Sequence, residues 1–143
     1  MKFFSYLLIL LILPVSGAFD TPENKELGSL FQKWVFVDYS DEGTLYESHS
    51  QLKENEAGIE FKKDGTLVIR QNGGWCGTPP ISYENFPGTW TAISKTEVAL
   101  TYEFWGGTMK KTMTIVKLNK MELLVKLEMD EIIRSEGLLK TKN

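Results

Sequence analysis

Single apolar residues alternate with polar ones along much of this chain, and that period of two predicts strands. Over residues 97–104, Val98, Leu100, Tyr102 and Phe104 fall on one face, with Ala99, Thr101 and Glu103 on the other. Residues 121–129 repeat the pattern: Met121, Leu123, Val125, Leu127 and Met129 oppose Glu122, Leu124, Lys126 and Glu128. Ala57, Ile59 and Phe61 likewise oppose Gly58, Glu60 and Lys62. Such alternation marks a strand with one buried and one wetted face. Less regular segments at 34–39 (WVFVDY), 66–71 (TLVIRQ), 89–93 (TWTAI) and 109–118 (MKKTMTIVKL) are rich in aromatic and β-branched residues and are also read as strands. Residues 44–50 suggest an edge strand and 132–135 a closing one. The helical period fits only 23–33, where Leu27, Leu30 and Phe31 share a face behind a Thr21-Pro22-Glu23 start.

The links between these segments are short. Lys63-Asp64-Gly65, Ser94-Lys95-Thr96, Trp105-Gly106-Gly107-Thr108 and Asn119-Lys120 leave no room for the crossover of a dozen residues that a parallel pair needs. Sequential strands therefore pair antiparallel. A meander of about eight strands with one apolar face hides that face most completely by closing on itself, which also removes its edges. The expected fold is all-β: an up-and-down antiparallel meander barrel with a short N-terminal helix.

The first residues stand apart from this pattern. Lys2, the apolar run 3–13 and the small residues Ser16-Gly17-Ala18 read as a secretory signal, with cleavage expected after Ala18 and residues 19–143 forming the domain. The protein is thus expected to be secreted or periplasmic, with no stable membrane insertion once the leader is removed. Cys76 is the only cysteine, so no internal disulfide is available and the core alone must stabilise the domain. The formal net charge of −3, with charges scattered, argues against a nucleic-acid partner.

Leu27, Gly28 and Trp34 lead into the first strand; Lys63 to Thr66 forms a Lys-Asp-Gly-Thr hairpin; Gly74 to Pro80 reads Gly-Trp-Cys-Gly-Thr-Pro-Pro; and Gly88-Thr89-Trp90 opens a later strand. In these features, over about residues 27–129, the chain resembles the lipocalin-like group of the calycin superfamily, in particular its small exported bacterial members. Lipocalins proper carry Gly-x-Trp at the first strand, whereas here Gly28 lies six residues before Trp34. The resemblance implies a barrel that carries a small apolar molecule.

Little here points to catalysis. His49 is the sole histidine and sits in a polar stretch, so neither a histidine metal pair nor a Cys-His couple has a recognisable motif. No catalytic residue, metal site or cofactor is expected. The stretch 72–80, with three glycines and two prolines, is a loop of special backbone geometry; Trp75 and Cys76 within it are read as a lid over the barrel mouth or a plug in its end. Trp34, Phe61, Trp90, Tyr102 and Phe104 are the candidate cavity wall, since ligand pockets are largely apolar and aromatic.

Three functions remain in play. The leading one is a carrier that binds or sequesters a small hydrophobic ligand inside the barrel; it requires an internal void above about 300 Å³ with one open end. The second is a solidly packed interaction module that meets a protein or surface polymer through its loops; it requires an exposed apolar patch near Trp105 and Trp75. A hydrolase or isomerase on the same scaffold comes third, for want of an acid–base pair.

Overall fold

The computed structural model describes residues 27–74 and 77–135, and within them eight antiparallel strands close into a barrel. The strands are β1 (Lys33–Ser40), β2 (Gly43–His49), β3 (Gly58–Phe61), β4 (Thr66–Asn72), β5 (Tyr83–Ala92), β6 (Glu97–Phe104), β7 (Gly107–Leu118) and β8 (Glu122–Arg134). From β3 to β8 each strand pairs with the next. The ring then closes through β8 on β2, β2 on β1, and β1 on β3. β1 therefore sits between β2 and β3, and residues 50–57 carry the chain past it. Arg70 fastens that connection: its guanidinium donates to the carbonyls of Lys53 (2.8 Å) and Glu54 (2.5 Å) and to Asn85 Oδ1 (2.8 Å).

Three strands differ from the simple alternation, each for a local reason. In β1 the register against β2 shifts between Phe36 and Asp38, leaving Val37 as a bulge. A bulge turns the residues after it over, so Tyr39 shares the inward face with Phe36 and pairs with the buried Thr44. In β7 a second shift, between Ile115 and Lys117, turns Leu118 inward opposite Leu123. β8 continues through a third irregularity, near Asp130, so the separate closing strand expected at 132–135 is the tail of β8. β5 begins well before the expected residue 89. Pro87 is accommodated because it pairs with Val68 of β4 just before the β6 pairing begins at Gly88, so its missing N–H interrupts no ladder on the second side.

The helix expected over 23–33 appears among the described residues only as one 3-10 turn, Leu27–Leu30. The Leu30 carbonyl, which a continuing helix would offer to the backbone of residue 34, instead accepts from the Gln32 amide (2.7 Å) and the Trp34 indole Nε1 (2.9 Å). Leu27 and Leu30 join the core, as do Trp34, Phe61, Leu67, Val98, Leu100, Met113, Leu123 and Val125. The expected signal segment, the cleavage expected after Ala18, the expected 21–23 helix start, and Trp75 and Cys76 lie outside the described residues.

Strand pairing also places two turns hard against β8, one through the closing β2–β8 ladder and one through β7–β8. Gly43 and Gly107 have φ of +141° and +140°, and a Cβ on either would lie 2.3 Å from the Val125 carbonyl oxygen or 2.1 Å from that of Ile133. Only glycine fits both the conformation and the space. Gly107→Ala is expected to destabilise the barrel by about 1–3 kcal/mol or more, measured as a lowered urea midpoint with an unchanged m-value.

Candidate functional site

The two ends of the barrel are filled differently because the inward residues differ. At the end where β1 starts, Trp34 is fully buried, and Phe31 and Phe61 pack on Trp90 with ring centroids 5.7 and 6.0 Å away. The Trp90 indole donates to the Lys62 carbonyl at 2.9 Å. The 3-10 turn lies across this end, tied to β2 by a Ser48 hydroxyl bond to Gln32 Oε1 of 2.6 Å. Large aromatic rings and a leucine cap thus make a floor.

Toward the other end lies a cavity of about 160 Å³, open on one side. Its apolar lining comes from Ile59, Ile69, Leu100 and Leu127; interspersed with these are Tyr39, Tyr46, Tyr102 and Lys111, with Arg70 and Gln71 beside them. Position explains each polar member. The β1 bulge turns Tyr39 toward the mouth, where it remains 74% exposed. Tyr46 sits on β2 between the inward Thr44 and the core, and is 7% exposed. Gly88 stands opposite Tyr102, and a Cβ there would come within 2.6 Å of Tyr102 Cβ, so the missing side chain makes room for the tyrosine. Lys111 shares the inward face of β7 with Met113 and Ile115, two and four residues on.

The electrostatics follow from burial. Loss of solvent pushes the Tyr102 phenol up to about 12. Burial, and behind it the nearby Tyr39 and Tyr102 phenols, raises Tyr46 further. Burial lowers Lys111 below the ordinary lysine value, with Tyr39 opposing. Lys110, Lys117, Lys33 and Lys53 each pair with a carboxylate, but Lys111 has no ion pair among the described residues. Its nearest recorded partner is the Tyr102 ring, 5.9 Å from Nζ to the centroid. The Tyr102 hydroxyl donates to Met109 Sδ at 3.1 Å, a weak acceptor. Tyr46 makes no hydrogen bond to another described side chain or backbone group through its hydroxyl.

Of the five residues read from the sequence as cavity wall, only Tyr102 lines this space. Trp34, Phe61 and Trp90 build the floor, and Phe104 packs edge-on against Trp105 at 5.6 Å, where β6 turns into β7. His49 ends β2 beside Lys33, at the floor end. Arg134, the late arginine, ends β8 opposite Gly107 and so lies at the other end from Trp34. Tyr39, Tyr46 and Lys111 are missing from the sequence reading. Lys111 had a signal: stepping by two from Ile115 gives Met113, Lys111 and Met109, a lysine on an otherwise apolar face. No family model, curated protein or solved structure matches this sequence.

Tyrosines held protonated by burial make stability sensitive to alkali. Because the folded pKa exceeds the unfolded value near 10, the contribution is intact below pH 10 and is lost as pH rises through about 12 for Tyr102. Tyr102→Phe should therefore lose less stability than the parent between pH 10 and 12, measured by urea unfolding at stepped pH.

Proposed function

We propose that this protein is an exported, lipocalin-like binding protein that holds one small molecule at equilibrium in the mouth of its barrel, with no bond chemistry. The observation that carries this reading is the cavity above a sealed aromatic floor. An eight-stranded barrel is wide enough for side chains or one small ligand, and here the side chains fill one end and stop short of the other. The leader pattern of residues 1–18 supports export.

The size of this cavity narrows the ligand. The sequence reading required more than about 300 Å³, whereas this cavity, among the described residues, holds about 160 Å³. An apolar cavity of about 150 Å³ accommodates benzene, so the ligand body is of that order, and retinoids, porphyrins and long acyl chains are too large to be enclosed. Apolar contact with Ile59, Ile69, Leu100 and Leu127 supplies the driving force, at about 25 cal/mol per Å² removed from water.

Thermal unfolding with a graded panel tests this reading. Benzyl alcohol and indole at millimolar concentration should raise the midpoint by mass action, and Leu127→Trp, which fills the space, should abolish the response. Retinol and haem should leave the midpoint unchanged. If no benzene-sized compound stabilises the parent protein, the carrier reading falls. The exposed Trp105, Met129, Ile132 and Ile133 around the mouth-end tip of β7–β8 would then favour an interaction module.

A further inference from the structure

Among the lysines with described surroundings, Lys111 is placed least like a surface charge. It lies on the inward face of β7, half-buried, against Tyr102 and without a carboxylate. Its neighbour Lys110 points outward and pairs with Glu131 at 2.7 Å, so the strand has an acidic partner for the outward lysine and none for the inward one. Taking a charge out of water without a partner opposes folding. Arg70, the other cation at this cavity, is already committed, its guanidinium bonded to Lys53, Glu54 and Asn85. One uncommitted cation therefore faces the space.

Beside it stand hydroxyl donors without strong acceptors. Tyr46 lines the cavity deeper on β2, its hydroxyl unbonded to other described groups and therefore still reached by solvent. Tyr39 stands at the rim, and Tyr102 donates only to a thioether. A donor now served only by a thioether gains from a charged acceptor, because charge-assisted hydrogen bonds are about twice as strong as neutral ones. The two oxygens of a carboxylate can meet an ammonium and a phenol together, and one cation balances one negative charge. The rest of the lining, Ile59 and Ile69 of β3 and β4 with Leu100 and Leu127, fits an apolar body.

We propose that the cavity selects a small monocarboxylate, its carboxylate held by Lys111 and the neighbouring Tyr102 phenol and its ring or short chain resting on Ile59, Ile69, Leu100 and Leu127. This rests on the binding reading above and adds the charge of the ligand. An uncompensated inward lysine is thereby explained: its partner arrives with the ligand.

Calorimetric titration with benzoate and benzyl alcohol, which match in size and differ in charge, separates the two claims. Benzoate is expected to bind at least tenfold more tightly. Lys111→Met should weaken benzoate at least tenfold, leave benzyl alcohol within twofold, and raise the melting temperature of the unliganded protein because it removes an unpaired charge. Tyr102→Phe should weaken benzoate alone. In the unsubstituted protein, benzoate should shift the NMR signals of the Lys111 ε-methylene and the Tyr102 ring while leaving Lys110 unmoved, a readout that does not depend on any variant folding. Equal affinity for the two compounds, or benzoate shifts that miss Lys111, would overturn the carboxylate assignment and leave the cavity in place. Binding of neither overturns both.

Discussion

The indole of Trp34, donating to the Leu30 carbonyl, fixes which end of this barrel is closed. The bond takes the acceptor that would have prolonged the first turn as a helix, so the chain bends into β1 and lays Leu27 and Leu30 across the strand ends. Trp34 itself is fully buried beneath them, in the same core as Phe61 and with Trp90 packed against it. With this end filled by rings, the cavity among the described residues lies toward the other end.

Much of the architecture was legible from the sequence because closure and alternation express the same constraint. Val98, Leu100 and Tyr102, and Leu123 and Val125, point inward as their period of two requires. The links at 62–65, 93–96, 105–106 and 119–121 join neighbouring antiparallel strands. Bulges are harder to read. Each inserts a residue that no count of two anticipates, and the ones at Val37 and beside Val116 fall in segments whose pattern looked irregular. The period also gives no barrel level. Met121 and Met129 obey the alternation yet lie exposed because their positions fall at or beyond the rims. For the same reason the alternation that turns Trp34, Phe61 and Trp90 inward does not say that they lie at the floor end.

The site was less legible because its chemistry depends on level as well as face. A lysine among methionines and isoleucine reads as an ordinary surface residue until the strand is known to turn it inward. Tyr39 needs the bulge to face the mouth at all. Such a charge opposes folding by desolvation, and positions that oppose folding without local compensation are where function is most often found. In this barrel the stable and the strained parts are separated along the axis: an apolar floor, then a mouth where phenols and an ammonium lose solvent together.

The placement of β1 between β2 and β3 has a temporal meaning as well as a spatial one. The outer edge of β2 is satisfied by Glu122 to Val125, residues made long after β2 itself. A ribosome extends the chain by about 5–20 residues each second, so for several seconds the growing polypeptide carries an unsheltered ladder of backbone donors and acceptors along residues 44–47. Unpaired edges of this kind invite association with other chains. The earliest strands must stay soluble until the latest arrives, and a nascent chain cut short before Leu123 would never cover them.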